Sequence, residues 1–257
     1  MAQLEQERAA ALARAGLREW WATLGRSLEG AQVFERDGLL CTAISPDPNA
    51  AFFNSINYLD EQELIQQLDQ VEPLLTEAGV TARCIRGPRQ HTQLGDELKL
   101  RGYAEVNLPV AMAASLDRYG RSVQRGFDVE LVEPGEVFTL NDSIYPFANG
   151  VFGRTAGNVQ AANLRAYGVR GPDRQLVSGL LAFDATDAFR IELVATLPQW
   201  RGEGTATAVH ARALVDARQR GFGFATLHAS AMGQPIYERM GYENVENWVR
   251  WEHKQNA

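Results

Sequence analysis

An α/β fold built of two similar halves is predicted by three observations. Apolar runs of strand length alternate with amphipathic stretches of helix length along the 257 residues, glycines stand where those helices should stop, and the order of the pieces occurs twice. Hydrophobic residues at 45% and charged residues at 22% leave room for a sizeable core and exclude a disordered chain.

The first half opens on Gln3 to Leu28, where Leu17, Trp20, Trp21, Leu24 and Leu28 fall at helical spacing, which predicts an amphipathic helix or a helix pair. An apolar run from Gly38 to Ile44, a Pro/Asn-rich turn from Pro46 to Asn49 and a strand-like Phe52 to Leu59 follow. A helix from about Asp60 carries Leu64, Leu68, Val71, Leu74 and Leu75 and stops at Gly79. The strand Val80 to Ile85, a turn at Gly87 and Pro88, a helix ending at Gly102 and the apolar Val106 to Ala114 close the half.

After a polar joint around Ser115 to Gly126 the order returns. Short apolar runs at Val129–Val132 and Ala166–Val169 lead to a turn at Gly171, Pro172 and Asp173, then to the strands Leu176–Phe183 and Ile191–Leu197. A long helix with Ala206, Val209, Ala213 and Ala217 on one stripe ends at Gly221, with Arg218 and Arg220 at the negative end of its dipole. The strand Phe222 to His228, a short helix from Pro235 to Gly241 and an aromatic strand around Trp248 to Trp251 finish the chain. Phe53, Gly79 and Gly102-Tyr103 then correspond to Ile191, Gly221 and Gly241-Tyr242, and the first copy lacks about four residues at the loop where the second has its glycines. The domains expected are 1–120 and 121–257.

Lys plus Arg number 25 against 32 Asp plus Glu, a net charge of -7 that is the wrong sign for general attraction to phosphate backbones. No nucleic-acid partner is expected. Two cysteines, Cys41 and Cys84, are too few for a disulfide scaffold and have no paired metal spacing, so a reducing compartment is the default and no metal is expected. No run approaches the roughly 18 apolar residues of a membrane span, and the mixed charges of the first twenty residues fit neither kind of leader. Met1 is therefore read as the start of a mature, cytoplasmic protein with no membrane partner.

The stretch from Ile191 to Val209 reads as strand, tight glycine loop, then helix. A helix that starts directly after such a loop presents unpaired N–H groups and a positive dipole end, and glycines let an anion approach the backbone. Gly202, Glu203, Gly204, Thr205, Ala206 and Thr207 thus make a phosphate cradle, or else a mere turn with a helix cap. A dinucleotide fingerprint would need a third glycine where Thr207 stands, and the Walker lysine is absent.

From this loop outward the chain resembles the GNAT superfamily of acyl-CoA-dependent N-acyltransferases, whose signature Gln/Arg-x-x-Gly-x-Gly/Ala is matched by Arg201, Gly204 and Ala206. The likeness extends upstream to Val194-Ala195-Thr196 and downstream to Ala229 through Tyr242, which looks like the family's strand, Tyr-bearing helix and Gly-aromatic turn. It covers about Val129 to the C-terminus, with an architectural echo in the first half. The resemblance implies a tandem protein with a degenerate first copy. Each domain would be a mixed, mostly antiparallel twisted sheet flanked by helices. The loop would hold the pyrophosphate of the coenzyme, and backbone groups of Val194, Ala195 and Thr196 would pair with its pantetheine arm like an added strand.

Acyl transfer to an amine needs a neutral nucleophile, a polarised thioester carbonyl and a way to accommodate the thiolate. The family achieves it by direct attack. Tyr237 falls where the family's tyrosine sits near the leaving sulfur; with reference values near 10 for Tyr and 8.5 for a thiol, full proton transfer is uphill by about 2 kcal/mol, so hydrogen bonding to the thiolate is as good a role as outright acid. A tyrosine that only packs is the third reading. Glu192, on the strand nine positions before Arg201, stands where relatives carry an acid that takes the amine's proton through water. Alternation puts it on one face with Val194 and Thr196. His228 is the other base candidate. Where the family often has Asn as a coenzyme contact, seven residues before the tyrosine, this chain has Ser230, whose reach is shorter.

As in relatives, the acceptor should meet the helical region holding Asn141, Asp142, Tyr145, Phe147, Asn149 and Phe152, aromatic and mildly acidic enough to suit a cationic amine. In the first half Asn57 to Gln62 replaces the arginine-glycine loop and puts two acids where phosphate would bind, so no second coenzyme site is expected. The resulting expectation is an N-acetyltransferase using acetyl-CoA as donor substrate and a small-molecule amine as acceptor. Its rivals are a non-catalytic acyl-CoA sensor and a protein or peptide N-acetyltransferase. A homodimer is left open.

Overall fold

The computed structural model describes residues 3–119, 126–145 and 150–254. The first half runs α1 (Gln3–Ser27), β1 (Gln32–Arg36), β2 (Leu39–Ala43), β3 (Ser55–Asn57), α2 (Glu61–Glu77), β4 (Ala82–Pro88), α3 (Thr92–Leu100), β5 (Ala104–Asn107) and β6 (Val110–Ser115). The second runs β7 (Glu130–Val132), α4 (Pro134–Ile144), α5 (Val151–Ala156), β8 (Leu164–Arg170), β9 (Leu176–Asp184), β10 (Phe189–Thr196), α6 (Thr205–Gln219), β11 (Phe224–Ala229), α7 (Gln234–Arg239) and β12 (Glu243–Lys254). The amino-terminal stretch is one helix.

All strands join one sheet in the order β1-β2-β3-β4-β12-β6-β11-β10-β9-β8-β7, with β5 beside β12. Pairing is antiparallel except at β3–β4 and β10–β11, the two strand-helix-strand crossovers. The fold is thus mixed α/β with a largely antiparallel sheet flanked by helices. The halves exchange their last strands. β6 lies along β11 over its whole length, while β12 pairs with β6 through Glu243–Asn247 and with β4 through Trp248–Lys254. One continuous sheet results, with no break in the ladder between the halves.

Local chemistry explains why the repeat was visible. Gly79, Gly102, Gly221 and Gly241 all have φ between 80° and 94°, and the residue after each donates its N–H to a carbonyl five positions back: Val80 to Leu75, Tyr103 to Leu98, Phe222 to Ala217 and Tyr242 to Tyr237. Four helices therefore end on the same left-handed glycine turn. The hairpin β1–β2 is absent from the sequence reading, although Asp37 (φ 41°) and Gly38 (φ 79°) are the Asp-Gly pair that a tight hairpin turn requires.

Alternation along β10 shows which helix covers which face. Phe189 stacks on Phe222 and under Arg220, just beyond α6, whereas Arg190 donates to the Ala13 carbonyl of α1. The two helices therefore lie on opposite faces of the sheet. On the α1 face, Trp20, Trp21, Phe53, Phe138 and Phe152 form part of a core that spans both halves. A smaller core packs α2 and α3 onto the first-half strands through Leu64, Leu68, Leu75, Leu94, Leu98 and Trp251.

Candidate active site

β10 parts from its neighbour soon after it starts. It pairs with β11 only at Phe189↔Ala225 and Arg190↔Thr226, then continues to Thr196 while β11 stays bound to β6. Between Glu192 and Ala195 its register against β9 shifts by a β-bulge, where Leu193 takes φ 48°. Asn141 of α4 braces this turn by donating to the Leu193 carbonyl at 3.1 Å. The result is a wedge whose β10 edge is not paired with β11 beyond Arg190, although the Leu193 and Thr196 carbonyls already accept from Asn141 and Arg201.

The bulge also corrects the alternation argument. Glu192 faces Leu181 and Ala195 faces Gly179, two positions apart on β9, so Glu192 shares its face with Ala195 and not with Val194 or Thr196. Thr196 lies on the other face, its hydroxyl 2.8 Å from that of Ser178.

Beyond Thr196, a 3₁₀ turn at Pro198–Trp200 leads into the glycine loop. Arg201 is exposed and its Nε folds back to the Thr196 carbonyl at 3.3 Å. Gly202 (φ 84°) and Gly204 (φ 87°) are left-handed, and a Cβ at either would meet nothing within 4 Å, so the constraint is conformational and the surrounding space is open. Gly204 caps α6 with no side-chain hydrogen bond, and the first turn of α6, which holds Thr205, Ala206 and Thr207, contains no acid. Glu203 points to solvent. This is an open helix N-terminus with a positive dipole end.

Three rings meet here: His210 on α6, Tyr237 on α7 and Tyr242 just before β12. The buried His210 Nε2 lies 2.9 Å from the Tyr242 hydroxyl, and the Tyr237 ring is 5.5 Å from His210 and 5.9 Å from Tyr242. Burial pushes His210 down to about 3, so its ring is neutral. Burial first, then Tyr145 and the charge of Glu192, hold the Tyr237 phenol well above its usual range. Tyr237 thus keeps its proton and is a hydrogen-bond donor. Ser230 is exposed at the rim of an open cavity of about 420 Å³, and its hydroxyl accepts the Gly233 N–H at 3.2 Å.

Glu192 is held by a partner that sequence reasoning missed. Arg190, fully buried, addresses Glu192 Oε1 at 2.6 Å and His228 Nδ1 at 3.0 Å. Because the guanidinium can only donate, Nδ1 accepts and the His228 proton sits on Nε2. Burial, reinforced by Arg190 and Arg86, depresses His228 well below its ordinary value, which leaves it a poor base. An arginine inside the apolar run Phe189–Ile191 was the available signal.

In the acceptor region, Asp142 is spent as a helix cap, accepting the N–H groups of Phe152 and Gly153 at 2.9 and 2.6 Å. Asn141 is buried against the bulge, and Phe152 packs on Phe52 of the first half at 5.5 Å. Phe147 and Asn149 lie outside the described residues. Among the described residues no group of His, Cys, Asp or Glu is placed to hold a metal ion, and no helix is long and apolar enough to cross a membrane.

Residues 177–245 match the family described as "Acetyltransferase (GNAT) domain". Among solved structures, a GCN5-related N-acetyltransferase from Kribbella flavida superposes with a TM-score of 0.67 at 19% identity, covering 97% of this chain and 96% of that one. A functionally unknown conserved protein from Staphylococcus epidermidis superposes at 0.66 and 13% identity, covering 88% and 95%. A tandem GNAT protein from the clavulanic acid biosynthesis pathway does so at 0.58 and 12% identity, covering 100% and 97%. At these identities the structures bear on the fold. No curated protein matches the chain.

Proposed function

We propose, from the match of residues 177–245 to a GNAT acetyltransferase domain, that this chain moves the acetyl group of acetyl-CoA onto the amine of a small molecule by direct attack. The observation that carries the reading is the uncapped N-terminus of α6, entered through two left-handed glycines shortly after a strand that β11 leaves beyond Arg190. An anionic pyrophosphate suits the first and an extended amide-bearing arm suits the second. In this reading the residues around Arg201 to Thr207 hold the phosphates, Val194 to Thr196 line the arm, and residues 1–120 are a copy that no longer binds coenzyme.

The neutral amine attacks the thioester carbonyl carbon, the carbon–sulfur bond breaks, and the amine's proton ends on sulfur, giving amide and free coenzyme A. Glu192, fixed by Arg190, takes that proton through water and releases it to solvent, from which the departing thiolate is protonated. Tyr237 hydrogen-bonds the departing sulfur, and its raised pKa makes it a donor there and not the acid.

Thermal unfolding with acetyl-CoA, free coenzyme A and NAD in parallel tests the donor. At a hundred times its dissociation constant a ligand should stabilise the fold by about 2.7 kcal/mol. Acetyl-CoA and coenzyme A should both shift the transition and NAD should not, and thiol release with an amine panel should then follow. No shift with any of the three would end the reading.

A further inference from the structure

Arg86, on β4 of the first half, is an interior cation without a counter-ion. It is 8% exposed, and its Cζ lies 4.8 Å from the Trp21 ring centroid and 4.7 Å from that of Phe52, so two aromatic rings hold the guanidinium. Nη2 donates to the Phe52 carbonyl at 3.0 Å, while Nη1 is buried with no partner. Among the described residues no carboxylate pairs with it. Its charged neighbours cancel in pairs, Arg190 with Glu192 at 2.6 Å and Arg250 with Glu252 at 3.0 Å, which leaves Arg86 as the excess positive charge. An unpaired buried charge is costly, and truncating it to an apolar residue would relieve the cost, so its presence calls for an anion.

Among the buried donors without a partner are Trp21 Nε1, on the ring that covers Arg86, and His228 Nε2, which carries the ring proton. Arg86 is electrostatically coupled to Glu192 and His228, and Phe52, which stacks on it, touches Phe152 of the acceptor-side helix α5. The acid of that region, Asp142, is already consumed by backbone N–H groups, which removes the case for a purely cationic acceptor.

We propose that Arg86 is the seat of a carboxylate on the acceptor, so that the substrate is an amine that also carries a carboxylate, as an amino acid does. This rests on the acetyl-transfer reading for the amine half of the molecule. The planar guanidinium fork matches a carboxylate, and the two rings hold it in place in the free protein. The first half thereby supplies acceptor specificity to a reaction run by the second.

The seat is probed directly with sodium acetate and sodium benzoate against acetamide and benzamide at matched ionic strength, read by thermal unfolding. The carboxylates should stabilise the native chain, the amides should not, and Arg86→Met, which refills the slot between the rings without charge, should lose the response. Arg86→Lys, a point charge without the fork, keeps the position readable if the Met variant does not fold, and should respond more weakly than the native chain. Equal stabilisation by acid and amide, no carboxylate response, or an unchanged response in the variants would overturn the seat. Acetyl-CoA is run alongside on each protein. If it fails to shift the native chain the transfer reading falls by itself, and if it shifts native and variant alike the coenzyme site is intact and the carboxylate result stands alone. With an active acceptor in hand, Arg86→Met should lower kcat/KM for the acid about 10- to 100-fold and leave its carboxamide unchanged.

Discussion

Two helices, α2 and α6, follow the same kind of strand in the two halves, and their first turns are opposites. Asp60 caps α2, accepting the N–H groups of Gln62 and Glu63 at 2.9 and 3.0 Å, with Glu61 and Glu63 adding negative charge beside it. Gly204 leaves the same groups of α6 unclaimed. The wedge differs in the same sense: Tyr58 packs so tightly on Gly87 of β4 that an added Cβ would collide with its hydroxyl, whereas the β10 edge is open. Counting back from the matched glycines, His210 corresponds to Leu68 and Tyr237 to Leu98, both leucines fully buried. One copy has spent its polar backbone on itself and its interior on packing; the other keeps both available. A shared fold can therefore differ in what it leaves open to a ligand through a handful of local choices.

The sharpest way to break this contrast is to close the open helix. Gly204→Asp puts an acid and a strained left-handed side chain where α6 begins, and should weaken acetyl-CoA binding by more than about 100-fold, seen as loss of the roughly 2.7 kcal/mol thermal stabilisation. Tyr237→Phe removes the donor proposed for the sulfur. It should lower kcat by about 10- to 100-fold with acetyl-CoA affinity unchanged, in a thiol-release assay paired with a binding titration. An unchanged kcat would assign the ring to packing.

The buried histidine gives a pH test. The folded-state pKa of His210, about 3, is below the unfolded value near 6.5, so the unfolded chain binds the extra proton between these limits and stability falls as pH falls through that window. The slope should be about 1.4 kcal/mol per pH unit for His210, with a contribution of the same sign from His228. Urea unfolding at pH 4, 5 and 6 measures it, and His210→Leu, which restores the first-half residue, should lower the slope by one proton. The smallest effect belongs to the closed helix: Asp60→Ala should cost about 1 kcal/mol in denaturant unfolding and leave acetyl-CoA binding untouched.

Legibility followed sequence distance. The left-handed glycines after Glu77, Leu100, Gln219 and Arg239, the Asp60 cap and the loop from Arg201 to Thr207 are decided within five or six residues, and all were readable as local patterns. The Asp37-Gly38 turn is equally local, but β1 is mostly exposed and has no apolar alternation to mark it as a strand. The bulge was not readable. Leu193 is not a residue that prefers φ 48°, and it is held there by Asn141, fifty-two positions earlier.

By itself the sequence determined the alternation of strands and helices, the stops of the helices, the repeat and the glycine entry to α6, since each follows from propensity, periodicity or hydrogen bonding between near neighbours. Only the tertiary structure decided the exchange of β6 and β12, the bulge in β10 and the burial of Arg86 between Trp21 and Phe52. These depend on which distant segments share a sheet and a core, and the energy that selects them, apolar burial and the pairing of interior polar groups, exists only once the chain has closed on itself.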